Sequence, residues 1–145
     1  MSDNLLLTSL WLVPLIGAGA VLLVPKGSER LVKYVATAFT AVAFALALAA
    51  LAAYVGDARA AAPLAERAAS DGFLVVRHDW IPAFHIQYYL GLDGISVSLV
   101  VLTGLTSLLA CLASWPIEKQ VRGYYSLFLL LAASMTGVFL ALDLF

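Results

Sequence analysis

Few side chains in this sequence could carry out chemistry, and two carboxylates beside long apolar runs are the best placed. Asp93 precedes an uncharged run over residues 95–115, and Asp143 follows a second apolar run. Ionisable groups within membrane-spanning segments are costly and mark proton or ion pathways. Asp93 and Asp143 lie at the ends of such segments rather than within them, so our hypothesis is that they help form a proton exit at one surface. The alternative is that Asp93 caps a helix by accepting from the backbone N–H of Ser96, and that Asp143 simply ends one.

Four hydroxyl residues make a second pattern, since spacings of seven, four and seven place them on one face of a helix. They are Ser96, Thr103, Ser107 and Ser114. Hydroxyls on one face of a membrane helix can bond to a neighbouring helix or hold water. The pattern favours helix packing through hydrogen bonds between helices.

The histidines and the cysteine do not form a pattern typical of a metal or catalytic site. His78 and His85 lie in the polar middle of the chain without a cysteine or a suitably spaced partner. Cys111 is the one cysteine and lies inside an apolar run, where it would behave as a small hydrophobic residue. We therefore expect no metal site and no catalytic residue. The formal net charge of −1 argues against a nucleic-acid partner.

The elements that position these residues are membrane-spanning helices. Hydrophobic residues make up 63% of the chain and charged residues 12%, against about 25% charged in soluble domains. Four apolar segments have roughly the 20 residues that a helix needs to cross a bilayer. Their bounds are about 5–24, 31–55, 95–115 and 124–142. The sequence thus predicts an all-α membrane protein with four transmembrane helices.

Small residues in the first two spans predict close helix packing. Gly17, Ala18, Gly19 and Ala20 would let a neighbouring helix approach the first span. In the second span, small residues at steps of three and four share one face. These residues are Ala36, Thr40, Ala43, Ala47 and Ala50.

Residues 56–90 form the one extended polar region, which we predict to be an outer loop. Residues 73–76 and 84–89 are short β-prone runs, separated by residues 80–83. They predict a small β-hairpin lying on the membrane surface.

The loop charges predict an orientation. Lys26, Arg30 and Lys33 are assigned to the short loop after the first span, and Lys119 and Arg122 to the short loop after the third. Lysine and arginine in short loops favour the cytoplasmic side. Both termini would then lie outside. On this assignment none of the four spans contains an ionisable group, which proton transfer across the membrane would need.

The stretch GLDGISVSLVVLTGL, closed by LASW, carries a family resemblance. Together with the preceding HDWIPAFHIQYYLGLDGIS and the final GVFLALDLF, it resembles the M subunit of the proton-translocating NADH–quinone oxidoreductase, respiratory complex I. That subunit is one of a set of antiporter-like membrane subunits. The match is collinear from about residue 5 to 145 and densest over residues 80–115. Members of the family are several times longer, so the chain resembles only their N-terminal part.

The resemblance implies a non-catalytic membrane part of a multisubunit translocase, in the inner (plasma) membrane. The first buried glutamate of the family's proton relay would lie beyond Phe145. No cofactor is expected in this chain, because NADH, flavin, iron–sulfur clusters and quinone belong to partner subunits. The expected partners are other membrane subunits and the lipid bilayer. Two alternatives stay open: a subunit of a related cation/proton antiporter or membrane-bound hydrogenase complex, and an independent small structural membrane protein.

Overall fold

The computed structural model describes residues 3–25, 27–56, 75–81 and 86–141 of the chain. Its elements are, in order, α1 (Asp3–Leu23), α2 (Glu29–Gly56), β1 (Val75–Ile81), β2 (Ile86–Gly91), α3 (Gly94–Ala113) and α4 (Val121–Leu140). Each helix contains a stretch of 19 to 28 residues that is long and apolar enough to cross a bilayer. The predicted all-α membrane fold with four spanning helices is confirmed.

The helices form a bundle with two distinct ends. At one end, which we call the hairpin end, α1 and α3 begin, α2 and α4 finish, and the strands β1 and β2 lie. At the other, the loop end, the short connections 24–28 and 114–120 join α1 to α2 and α3 to α4. Helix α1 packs along both α2 and α4, while α2 packs along α3.

The second helix begins two residues earlier than predicted, and a charge that was assigned to the preceding loop lies inside it, within the span predicted from about residue 31. Helix α2 starts at Glu29, whose carboxylate lies in the first turn, where the helix dipole favours negative charge. The carbonyl of Ser28 accepts the backbone N–H of Val32 at 3.1 Å and so opens the helical ladder. Lys33 therefore lies within α2, and its side chain is buried. Its placement in a loop was wrong, and so was the expectation that no span holds an ionisable side chain.

The loop-end boundaries follow from local backbone chemistry. Helix α1 ends at Leu23, shortly before Pro25, and Gly27 adopts a φ of 104°, which a residue with a side chain rarely adopts. Helix α3 ends at Ala113 rather than at residue 115. The chain then turns through residues 114–116, because Pro116 disfavours helical geometry at the residue before it.

The polar middle of the chain contains the predicted hairpin. Strands β1 and β2 pair antiparallel, from Val75 opposite Gly91 to Ile81 opposite Ile86. The first strand extends to Ile81, past the predicted end at residue 76, since backbone pairing continues through polar residues that an apolar pattern does not detect. Leu90 of β2 also forms a β-bridge with Ala141, just past the end of α4. This bridge ties the hairpin to the helical bundle.

Two groups of buried side chains hold the bundle together, one at each end. The hairpin-end group joins residues of all four helices, for example Leu7, Ala50, Val97 and Leu140, with Leu92 beside them. The loop-end group is built around Val21, Ala36, Cys111, Tyr125 and Leu129. The predicted small-residue face of α2 is the buried one. Its members Ala36, Thr40, Ala47 and Ala50 are all nearly inaccessible.

Helices α2 and α3 keep one antiparallel register from end to end. Close contacts join Lys33 to Trp115, Thr37 to Cys111, Phe44 to Gly104, and Tyr54 to Gly94. In every pair the two residue numbers add up to 148. The pair therefore meets along its whole length without a shift in register.

Two glycines make room for α2. A Cβ atom added at Gly17 of α1 would lie 2.7 Å from Cγ of Phe39, and one at Gly104 of α3 would lie 3.2 Å from the Phe44 Cα atom. A Cβ at Gly19 would meet no atom within 4 Å. The expected close approach therefore occurs at Gly17, whereas the expectation for Gly19 was wrong.

These two neighbouring glycines give a matched test of the α1–α2 contact. We expect Gly17→Ala to lower the stability of the bundle, since overpacking costs roughly 1–3 kcal/mol. The better helix propensity of alanine offsets only up to about 1 kcal/mol of that cost. Gly19→Ala, with open space around it, should be neutral or slightly stabilising. The measurement is thermal unfolding in detergent followed by circular dichroism, and equal shifts for both variants would contradict the contact.

Candidate functional site

Asp93 lies at the hairpin end, where it caps α3. The residue has an extended backbone, with φ −106° and ψ 178°, and its Oδ1 accepts the backbone N–H of Ser96 at 2.5 Å. The Asp93 carbonyl also accepts the N–H of Val97. The Asp93 side chain is half-buried. Its carboxylate serves as the N-cap of α3, which is the alternative to a proton-pathway role that the sequence indicated.

The second carboxylate candidate, Asp143, lies outside the described residues. The end of α4 is nevertheless close to the start of α3, because Ala141 bridges to Leu90 and Leu140 shares a buried group with Leu92 and Val97. The structure therefore places the last described residues of α4 beside the segment that leads to Asp93. Of the two histidines, His85 is outside the described residues, and the backbone of His78 pairs with that of Tyr88.

Two of the four hydroxyl residues predicted on one face, Ser107 and Ser114, lie beside α4. Thr103 is buried, while Ser96, Ser107 and Ser114 are half-buried. Ser107 lines a shallow apolar cleft between the two helices, opposite Phe128 and Met135. Only Ser114 among the four has a hydrogen bond to another helix in the described part of the chain, to the Tyr124 hydroxyl at 2.7 Å. Its hydroxyl also donates to the Ala110 carbonyl of its own helix.

The strongest polar contacts between helices come from residues that sequence reasoning did not select. At the loop end, the Lys33 ammonium of α2 donates to the Trp115 carbonyl, just past the end of α3, at 2.8 Å. Arg122, in the first turn of α4, donates from Nη2 to the Leu22 carbonyl of α1 at 2.6 Å. Both cations thus reach the carbonyl end of a neighbouring helix, where the helix dipole favours positive charge.

A signal for these contacts was present in the sequence. Carbonyl groups in the last turn of a helix lack partners within the helix, and lysine or arginine can supply them. Cations within the first two turns after a short loop are near such carbonyls, because the preceding or neighbouring helix ends at a similar level. A third contact, from the Ser126 hydroxyl to the Ala18 carbonyl at 3.1 Å, has no comparable signal.

Aromatic rings surround the loop-end contacts. The rings of Tyr34 and Trp115 meet edge to face at a centroid distance of 5.6 Å. Tyr124 packs edge to face against Tyr125 at 5.3 Å and stacks on Phe128 at 6.3 Å. Tyrosine and tryptophan typically mark the level where a helix meets the lipid headgroups. The loop end therefore has the composition of a membrane–water boundary.

The described part of the bundle interior contains few groups that bind metal ions. Within residues 3–25, 27–56, 75–81 and 86–141, no cluster of three histidine, cysteine or acidic residues could hold a metal. Cys111 is a free, buried thiol, 3.6 Å from the Thr37 hydroxyl. Such an interior can support packing and hydrogen bonding between helices.

Known proteins are similar to this chain, some over its second half and others over almost its whole length. Residues 72–142 match the family described as NADH-ubiquinone oxidoreductase chain 4, amino terminus. NAD(P)H-quinone oxidoreductase chain 4 of Gloeobacter violaceus is 35% identical over 138 residues, which is 95% of this chain and 24% of the relative. The protein of the same name from Synechococcus sp. (strain CC9605) is 32% identical over 134 residues, 92% of this chain and 23% of the relative. A chain 4 protein of Microcystis aeruginosa is 44% identical over 71 residues, 49% of this chain and 13% of the relative.

The matches confirm the resemblance to a membrane subunit of this class of oxidoreductase. The matched part of the chain corresponds to a quarter or less of the length of these relatives.

Two substitutions separate the stabilising effect of the Asp93 N-cap from that of its charge. We expect Asp93→Ala to destabilise the bundle by about 1 kcal/mol, since alanine cannot accept from the Ser96 N–H. Asp93→Asn should retain most of the stability, because asparagine is an equally good N-cap. Thermal unfolding of the two variants in the same detergent gives the comparison. An asparagine variant as unstable as the alanine variant would show that the charge of Asp93, and not its cap, stabilises the fold.

Proposed function

Because the chain is similar over 95% of its length to chain 4 of NAD(P)H-quinone oxidoreductase, we propose that it forms the N-terminal helices of that membrane subunit. The M subunit of the sequence resemblance is the corresponding part of the complex. The whole subunit would take part in proton translocation coupled to electron transfer from NADH to quinone. The observation that carries this proposal is the collinear match over 138 residues, which includes all four helices.

Within that subunit, we assign the four helices a structural role. Their described interior is filled by apolar, small and hydroxyl side chains, and the buried cation Lys33 lies at the loop end rather than in the middle of the bundle. A relay across about 30 Å of hydrocarbon needs titratable groups or ordered water between the two faces. The helices would instead pack against other membrane subunits, and partner subunits would hold NADH, flavin, iron–sulfur clusters and quinone.

We further propose that the hairpin end faces the outside of an inner (plasma) membrane. Lys119 and Arg122 lie at the loop end with Arg30 and Lys33, and this charge bias favours the cytoplasm. Both termini would then lie outside. Asp93 and Asp143 would be on the outer side, which is where a proton-exit role for either would have to operate.

Cysteine labelling tests the orientation. In a Cys111→Ala background, expressed in a bacterial host, Arg67→Cys should react with a membrane-impermeant maleimide in intact spheroplasts. Lys119→Cys should react only after lysis. The opposite accessibility of the two positions would refute the proposed orientation.

Deleting the gene for this chain in its native host tests the function. We expect inverted membrane vesicles to lose NADH- or NAD(P)H-driven, quinone-dependent proton pumping, with restoration by the intact gene. Restoration by an Asp93→Asn gene is expected if Asp93 only caps α3, and failure would assign that carboxylate to the proton path. Undiminished pumping in the deletion strain would contradict the proposed subunit. A selective loss of cation/proton exchange would favour the related antiporter instead.

A further inference from the structure

Lys33 is a buried cation whose charge has no anionic partner among the described residues. Only 9% of the residue is exposed, and its one described hydrogen bond goes to the neutral Trp115 carbonyl. An ammonium group has three donors, so this bond uses one of them. Buried lysines are rare unless paired, because desolvation penalises the charged form. Glu29 lies one turn before Lys33 on α2, but no described carboxylate forms an ion pair with the Lys33 ammonium.

The surroundings of Lys33 are those of a lipid headgroup site. Tyr34 follows Lys33 in the sequence, and its ring contacts that of Trp115, whose carbonyl Lys33 binds; the two residues are 62% and 37% exposed. Arg30 lies three residues before Lys33 on α2, and Lys119 lies in the connection that follows Trp115; both are exposed. Interfacial aromatic rings and basic side chains are the groups that contact phospholipid headgroups.

The same seam offers an apolar surface below the headgroup level. Leu105 and Leu112 of α3 lie deeper in the bundle than Trp115, on one face of the helix because they are seven residues apart, and both are exposed. An acyl chain descending from a phosphate at Lys33 would meet such side chains on the perimeter of the bundle. A ligand of this site must therefore have a negatively charged headgroup and an apolar tail.

We propose that the seam between the start of α2 and the end of α3 binds an anionic phospholipid, with its phosphate at Lys33 and its headgroup against Tyr34 and Trp115. This site is independent of the proposed subunit role, because it depends only on the helices described above. Arg122 provides a comparison at the same end of the bundle. It also donates to a helix-end carbonyl, but no ring contact of the Tyr34–Trp115 kind is described beside it.

Trp115 provides the measurement, because lipid brominated in its acyl chains quenches a tryptophan that it contacts. The 145-residue chain with Trp11→Phe and Trp80→Phe would retain Trp115 as its one tryptophan. It would be placed in vesicles of phosphatidylglycerol and phosphatidylcholine, with either lipid brominated in turn. Both leaflets have the same composition, so orientation does not affect the result. We expect phosphatidylglycerol to be preferred at Trp115 by about five-fold, the effect of one basic residue near the surface.

Three variants test whether Lys33 causes the preference for phosphatidylglycerol. Lys33→Gln, which can still donate to the Trp115 carbonyl, should abolish the preference, while Lys33→Arg should retain it. Arg122→Gln, which removes one charge from the same end, should leave it unchanged. Circular dichroism of each variant confirms that the helices are formed.

Two results would overturn the assignment. Equal quenching by the two brominated lipids in the parent chain, or a preference unaffected by Lys33→Gln, would leave Lys33 as a helix-end contact alone. Loss of the preference on adding excess inorganic phosphate would show that the site takes a free anion rather than a lipid.

Discussion

The unpaired backbone groups at the helix ends impose the constraint on which the rest of this structure depends. A helix leaves four N–H groups and four carbonyl groups without partners in its own ladder, and hydrocarbon offers them no water. In the described part of the chain, Asp93 serves the start of α3 and Arg122 the end of α1, while Lys33 binds the Trp115 carbonyl, two residues past the end of α3. Lys33 and Arg122 belong to neighbouring helices. At the loop end, the same hydrogen bonds therefore pair backbone carbonyls at one helix end and hold that helix against its neighbour.

Helix α2 contacts all three other helices. It meets α1 at Gly17, α3 at Gly104 and the α3–α4 connection at Trp115. Its buried face is made of small residues, so close approach supplies dispersion contacts where there is no hydrophobic driving force between helices in lipid. Most hydroxyls in the described helices bond to a carbonyl of their own helix, such as Thr40 to Ala36 and Thr136 to Ala132. Packing, with a few hydrogen bonds between helices, thus holds the bundle.

The sequence predicted the features that depend on local chemistry and failed where distant segments meet. Four spans, a hairpin and the Asp93 cap follow from apolar length, β-prone runs and a carboxylate three residues before Ser96. The burial of Lys33 could not be predicted this way, because it depends on a carbonyl 82 residues along the chain. Gly17 and Gly19 show the same limit. Both are permissive residues on one helix, but only one of them faces Phe39.

The constant register of α2 and α3 restricts how the length of this chain can change. Adding one residue within either helix would rotate everything beyond it by about 100° and advance it by about 1.5 Å. The contacts at Gly104 and Trp115 would then no longer face their partners at the same time. Extra residues between Gly56 and Val75 would leave all four contacts in place. Insertions and deletions in this part of the protein should therefore accumulate outside the two helices, which can diverge in composition but hardly in length.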